Sequence, residues 1–309
     1  MKLIKPSVEY IPQEDIYKHI ELCARTCYKS EDKIAEDSAR KFVDGLIKAG
    51  HLAMLEHATV YLFFLCSPYD NKLYSHMGEY DCNPYTKGGF IGCDDNEQAE
   101  DGNYYDIMGD EASGNMQFCF TTNYRVLVEN DWLDDLQYAV TPFDNHWPKR
   151  YTMKFICDRG VSHELVRQRK FSFAQESQRY CNYSKDKFDN GVTFIKPSWC
   201  DKEAMSVIGD VTTVDTEKSS AEFVLWMLYL ADAERAYLKL LEMGWTPQQA
   251  RSVLPNATKT EIIMTGFEDD WKHFFDLRLR GTTGKPHPDM QYVAQLAWNE
   301  FKDKLNLEL

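Results

Sequence analysis

The sequence predicts a fold that mixes helices and strands, and three observations lead there. Several stretches set apolar residues at the spacing of a half-buried helix. Several shorter stretches alternate apolar and polar residues as a half-buried strand does. Of the 309 residues, 43% are apolar and 14% aromatic, which is enough to fill a sizeable core. Length alone allows one large domain or two small ones.

Residues 14–28 put Ile16, Ile20, Cys23 and Cys27 on one helical face. Residues 38–49 read as a second helix, capped by Ser38, striped by Phe42, Val43, Leu46 and Ile47, and stopped by Gly50. A strand follows over Thr59–Cys66. From Ser67 to about Asn115 Gly, Asp, Asn, Tyr and Pro dominate and periodicity is lost, so this stretch reads as a surface insertion or lid without regular elements. Phe118–Glu129 is rich in strand formers, Trp132–Ala139 reads as a short helix, and Tyr151–Cys157 alternates as a strand. Residues 185–216 read as loop, with a strand at Val192–Ile195. Glu217–Met243 is the longest helix, with an apolar face wide enough for either a subunit interface or a central core position. Thr246 and Pro247 cap and start a short helix carrying Arg251. Glu261–Thr265 reads as a strand, Asp269–Leu279 as a helix, Gly281–Pro288 as a loop, and Asp289–Leu305 as a last helix.

The formal net charge is −14, which argues against extended duplex nucleic acid as a partner. The longest apolar run, Phe223 to Ala231, is far short of the roughly 20 residues that cross a bilayer. The first residues lack the apolar core of a secretory signal. Nine cysteines without a CxxC pair read as reduced thiols. A cytoplasmic protein is the expectation. His19, Cys23 and Cys27 share a helix face, which suits buried core better than a metal site because Ile16 and Ile20 lie on it too. His51, Glu56 and His57 precede a buried strand and read either as a ligand wall or as structural hydrogen-bonders.

Against that acidic background, residues 159–180 hold four arginines and one lysine against two glutamates. A basic pocket in an acidic protein points to an anionic ligand. Arginine predominates, and its planar fork suits phosphate, carboxylate or the O–C–N edge of a base. Ser162 is placed to cap a short helix through Val166, after which an extended chain would turn Arg167 and Arg169 to one side. Arg179 returns after a polar turn carrying Gln175, Glu176, Ser177 and Gln178. Phe171, Phe173, Tyr180 and Tyr183 interleave the charges, unlike a purely solvated face. No GxGxxG and no GxxxxGK[ST] is present, so side chains and local backbone would have to hold a nucleotide. Three readings stay open from the residues alone: an enzyme acting on a nucleotide, a non-catalytic nucleotide or nucleic-acid binder, and a transferase with Cys181 as nucleophile.

Arg167-Gln168-Arg169, seven residues, then Ser177 resembles the R-H-R-x7-S signature of the flavin-dependent thymidylate synthases. Other family segments follow in order: Ala24-Arg25, Gly50-His51 with Glu56-His57, Ala250-Arg251 with Leu254-Pro255, and His273-Phe274 with Leu277-Arg278. The resemblance covers residues 14–66 and 118–305 and leaves 67–117 as an insertion within a single domain over 1–309.

The resemblance implies an α+β fold with a central mixed or antiparallel sheet flanked by helices. It implies reductive methylation of dUMP to dTMP, with 5,10-methylenetetrahydrofolate as carbon donor, NADPH as reductant and FAD as cofactor, in a homotetramer with shared sites. Carried over residue by residue, dUMP would meet Glu164, Leu165, Val166, Arg167, Gln175, Glu176, Ser177, Gln178, Arg179, Arg278 and, from a neighbouring subunit, Arg251. FAD would meet Ala53, Arg167, Gln168, Arg169, Gln175, Phe267, Glu268, Asp269 and His273. Arg278 would be the catalytic residue, as the matching arginine of the family favours the ionised N3 of uracil. Two departures stand out: Gln168 replaces the usual histidine, and Asp269 lies near a position often held by arginine.

Overall fold

The computed structural model describes residues 1–67, 69–93, 115–142, 147–200, 205–208 and 211–305. In chain order the elements are β1 (Lys2–Ile4), β2 (Ser7–Tyr10), α1 (Ile16–Thr26), α2 (Ser38–Lys48), β3 (Thr59–Cys66), α3 (Asn71–Cys82), β4 (Lys87–Cys93), β5 (Met116–Asn123) and α4 (Tyr124–Glu129). There follow β6 (Arg150–Asp158), α5 (Arg159–Leu165), β7 (Ser172–Gln175), β8 (Thr193–Ile195), β9 (Met205–Ile208), β10 (Val211–Val214) and α6 (Ala221–Glu242). The last are α7 (Pro247–Ala250), β11 (Lys259–Phe267), α8 (Glu268–Phe275) and α9 (Pro288–Leu305). The α+β class holds. The chain forms two compact units, one of Met1–Pro12, Leu22–Glu36 and Tyr151–Leu309, the other of Gln13–Glu21 and Asp37–Arg150.

The second of these units is built on a sheet ordered β3-β5-β4, with both pairs antiparallel. Val60, Leu62 and Phe64 of β3 all face its core, as their alternation demands. The expectation of an insertion without regular elements is overturned by α3 and β4; residues 94–114 lie outside the described ones. The helical signal was there. Asp70 caps α3 by accepting from the Leu73 amide at 3.0 Å, and Leu73, Met77 and Tyr80 recur at helical spacing and join the core. A polar knot fixes the helix: Tyr80 donates to Asp135 at 2.7 Å, and His76 lies 2.7 Å from Asp135 and 2.9 Å from Glu79. Burial alone would lower the His76 pKa, but the two carboxylates outweigh it and hold the pKa raised. The strand-rich reading of Phe118–Glu129 is corrected beyond residue 123, where the Asn123 side chain accepts from the Val126 amide at 3.2 Å and starts α4.

The unit containing the arginine stretch has a four-stranded sheet ordered β2-β6-β11-β7. Strands β2 and β6 pair antiparallel, as do β11 and β7, with Ile263 opposite Ala174. Met153, Phe155, Ile262 and Met264 of the sheet pack with Trp271, Phe274 and Phe275 of α8 and Phe301 of α9. Gly266 lets the Phe171 ring lie against β11, because a methyl group there would collide with that ring. A further core joins Leu3 and Phe194 of the parallel pair β1–β8 to Phe223, Met227, Leu230 and Tyr237 of α6. Helix α6 buries that one face and leaves Leu225, Leu228 and Tyr229 at 58% exposure or more. The expected cap at residue 246 forms as a full capping box, with Gln249 returning the bond. The loop reading of 185–216 missed the antiparallel pair β9–β10. Among the described residues no helix is long and apolar enough to cross a membrane.

Candidate active site

The arginine stretch begins where β6 runs into α5. Asp158, not Ser162, caps that helix, accepting from the Val161 amide at 2.8 Å. The helix therefore starts four residues earlier than the expected cap would place it. Ser162 sits inside it, where its hydroxyl donates to the Arg159 carbonyl and accepts from the Gln175 amide, each at 2.9 Å. Gln175, at the end of β7, also donates to Thr260 of β11 at 3.2 Å. The chain after α5 is not extended, as the sequence suggested. It turns over Val166–Arg167 and again over Arg169–Lys170, and only at Ser172 does it become a strand.

Turns at these positions leave the cations outside. Arg167, Arg169, Arg179 and Arg251 are exposed, and among the described residues no carboxylate pairs with any of them. Gln168, between two exposed arginines, is only 8% exposed. Arg179 lies over the Tyr180 ring at 5.4 Å, and Tyr180 contacts Tyr28 with centroids 5.1 Å apart. Both tyrosines are exposed, so an apolar plane lies beside the cation. The Arg278 guanidinium is partly buried and donates to Glu164 of α5 at 3.0 Å. Its Nε is buried without a hydrogen-bond partner, so donors remain for a ligand.

One functional candidate was missed by the sequence reading. Arg159 begins α5, is held by the Thr260 hydroxyl at 3.4 Å, and feels the charge of Arg251. Burial, with Arg251 adding to it, pulls its pKa down, so an anion arriving here would relieve that cost. A lone arginine after a strand has no spacing signal, but its place directly after the Asp158 cap does mark it.

The turn from Gln175 to Arg179 is anchored from inside. The Glu176 amide donates to the Glu261 carbonyl at 2.8 Å and the Ser177 amide to the Cys27 carbonyl at 2.9 Å. The Glu176 carboxylate is 1% exposed, takes Lys259 at 2.9 Å, and accepts from Tyr183 at 3.1 Å. Lys259 also pairs with Glu261, which is reached by Lys29 at 2.9 Å and Lys154 at 2.7 Å. Burial would raise the Glu261 pKa, but those lysines hold it well below the usual carboxylate range. The Glu176 side chain is thus committed to the interior, which makes it a holder of the turn. Leu165 is fully buried in the core and Val166 is 41% exposed.

The flavin candidates divide. His273 is exposed on α8 and Phe267 is 8% exposed at the end of β11. Glu268 pairs with Lys272 at 3.0 Å and Asp269 is exposed, so the first turn of α8 is acidic and repels a pyrophosphate. Ala53 belongs to the other unit, exposed in the 3₁₀ turn Leu52–His57. There His57 is fully buried and Glu56 pairs with Arg125, while His51 is exposed. Among the described residues no group of three or more His, Cys, Asp and Glu side chains is placed to hold a metal ion.

Cys181 is 1% exposed, and burial, helped by the Glu176 charge, pushes its thiol up to about 12. A thiol so placed stays protonated at neutral pH and is a poor nucleophile. Cys181→Ala is expected to keep turnover within about twofold in a steady-state assay; a loss of activity in a folded variant would restore the cysteine-nucleophile reading.

Residues 149–305 match the family model described as thymidylate synthase complementing protein. The proteins named flavin-dependent thymidylate synthase of Mycobacteroides abscessus and Geobacter sulfurreducens are 35% and 38% identical over 122 and 120 residues. These matches take 39% of this chain and 45% and 43% of the relatives, so the chain spans less than half the length of the curated relatives it matches. That of Pyrococcus furiosus is 31% identical over 123 residues, 40% of this chain and 43% of its own. A solved UMP/dUMP methylase, PolB from Streptomyces cacaoi with 5-Br dUMP bound, overlays at a TM-score of 0.42 with 15% identity, covering 98% of this chain and 92% of its own. That likeness is too weak to bear on function.

Proposed function

Because the chain belongs to the thymidylate synthase complementing protein family, we propose that it is a flavin-dependent thymidylate synthase, converting dUMP to dTMP. The carbon donor is 5,10-methylenetetrahydrofolate and the reductant NADPH. The observation that carries this is the set of exposed, uncompensated guanidiniums at Arg167, Arg169, Arg179 and Arg251 in a chain of net charge −14. Unpaired cations, three of them from one short stretch of the chain, favour a polyanionic ligand. A second copy of the chain fits the exposed apolar face of α6, in keeping with a homotetramer of shared sites.

The residues fit FAD by the chemistry of their donors. Arg167 and Arg169 supply two guanidiniums for a pyrophosphate, the Gln168 amide a neutral donor and acceptor between them, and His273 and Phe267 ring surface. The acidic turn Glu268–Asp269 is restricted to backbone contact. Gln168 keeps hydrogen bonding but loses the pH response of histidine. When bound, FAD supplies the reducing equivalents taken from NADPH.

The chain's own residues bind and polarise dUMP. Arg179 and Arg251, together with Arg159, receive the phosphate; the amides and side chains of Gln175, Ser177 and Gln178 line the turn. Arg278 receives the O–C–N edge of uracil. A guanidinium there stabilises the base ionised at N3, which makes C5 electron-rich where the carbon is added. Glu164 holds Arg278 in place before the base arrives. No protein nucleophile is needed, in keeping with the buried Cys181 thiol.

The direct check is colour. The purified protein should show flavin absorbance or acquire it stoichiometrically on incubation with FAD. A folded protein that stays colourless with excess FAD contradicts the enzyme reading and favours a nucleotide binder.

A further inference from the structure

The arginine-bearing unit holds a cavity of about 320 Å³ that none of the proposed nucleotide or flavin contacts other than Glu164 lines. That volume falls at the small end of organic-ligand sites. Its walls include Trp199 and Trp226, its polar residues are Asp158, Glu164, Asn256, His287 and Asp289, and His287 stands beside Trp199 with ring centroids 5.8 Å apart.

The carboxylates differ in what they have left to give. Glu164 is committed to Arg278. Asp158 spends Oδ1 on the α5 cap. Asp289 is only 8% exposed; its Oδ1 accepts from the Ser198 amide at 2.7 Å, and its amide donates to His287 Nδ1 at 3.3 Å. Neither Asp158 nor Asp289 has a lysine or arginine partner among the described residues, and no donor reaches the second oxygen of Asp289. Asp158 already has its pKa raised by burial and then by the charge of Asp289. Buried, mutually repelling carboxylates without a counter-cation are costly unless a ligand supplies the charge. The tryptophan faces add attraction for a cation and a surface on which a flat group stacks.

We propose that this cavity is a binding site for a small organic cation with a flat conjugated face, of the amidinium or protonated aminoheterocycle class, its N–H groups bonded to Asp158 and Asp289 and its face against Trp199 and Trp226. The site is independent of the thymidylate reading. It gives the Asp158 end of α5 a ligand of opposite charge to the one proposed for Arg159.

The test uses benzamidinium, with neutral benzamide as its near-isostere, on the full chain labelled with 5-fluorotryptophan and followed by fluorine NMR. The seven tryptophan lines are assigned by Trp199→Phe and Trp226→Phe. Benzamidinium is expected to shift the Trp199 and Trp226 lines, and to bind about tenfold or more tightly than benzamide. Asp289→Asn and Asp158→Asn keep the oxygen that caps each backbone amide, so the fold is retained, and each is expected to weaken benzamidinium about tenfold. Equal affinity for the two probes, shifts confined to other tryptophans, or undiminished binding in the double aspartate variant would overturn the proposal. The contrast between the two probes on the unaltered protein decides it even if a variant fails to fold.

Discussion

Arg278→Ala lowers kcat/KM for dTMP formation by about 10²–10³-fold while the protein keeps its flavin. The size follows from what the guanidinium does. It is the fixed positive charge proposed for the edge of uracil that becomes negative, and it is held by Glu164 at 3.0 Å in a partly buried place. Removing it takes away stabilisation of the ionised base and leaves the Glu164 carboxylate facing that base unneutralised. Arg278→Lys is expected to recover only a small part, since a point charge cannot present two parallel donors. Flavin content is expected to stay unchanged because Arg167 and Arg169, assigned to the FAD pyrophosphate, lie outside the helical run that carries Arg278. A variant with near-normal kcat/KM would remove Arg278 from the chemistry.

Lys259→Met is expected to cost about 3–5 kcal/mol of unfolding free energy, read from the denaturant midpoint. Lys259 sits between Glu176 and Glu261, whose side chains are 1% and 7% exposed. Glu261 would keep Lys29 and Lys154, but Glu176 would be left buried with only the Tyr183 hydroxyl. Coupled to this loss, the Gln175–Arg179 turn loosens and the KM for dUMP rises. Adding Glu176→Gln should recover part of the stability, since no uncompensated charge then remains. A loss under about 1 kcal/mol would mean that the network is ornamental.

The same network sets a pH window. Burial opposes the ionisation of Glu261, but the lysines win and its folded pKa is depressed. Its contribution is therefore present above the unfolded carboxylate value and disappears as pH falls through the folded one. For Lys259, burial lowers the pKa, but Glu176 and Glu261 more than offset it and raise the folded value. That contribution is complete below the unfolded lysine value and is lost as pH rises through the folded one. Stability from the network is thus full between about pH 5 and about pH 10.

How far the sequence could be read depended on whether a partner is local. Strand Thr59–Cys66 and the Thr246–Gln249 box were legible to the residue, because alternation and capping are short-range rules. Helix α3 was hidden by its glycine- and tyrosine-rich surroundings, although its Asp70 cap and its Leu73, Met77 and Tyr80 stripe obey the same rules. The antiparallel pair β9–β10 was hidden too, although the dipeptide Gly209-Asp210 is a hairpin signal in the sequence. Of the candidate site, the arginines were visible as an excess of one charge. The role of Glu176 was not, because Lys259 and Tyr183, which bury it, come from distant segments. Arg159 was overlooked for a similar reason: its hydrogen bond to Thr260 and the charge of Arg251 both come from distant segments. Spacing showed which residues are charged, and only the fold showed which charges are already spent.

The central claim is that uncompensated guanidiniums of this chain hold and polarise dUMP for carbon addition at C5. Release of tritium from dUMP labelled at C5 tests it most directly, with the FAD-loaded protein, NADPH and 5,10-methylenetetrahydrofolate. The account predicts release that requires both co-substrates and matches dTMP formed. A fully flavinated protein that binds dUMP yet releases no tritium with both present would contradict it.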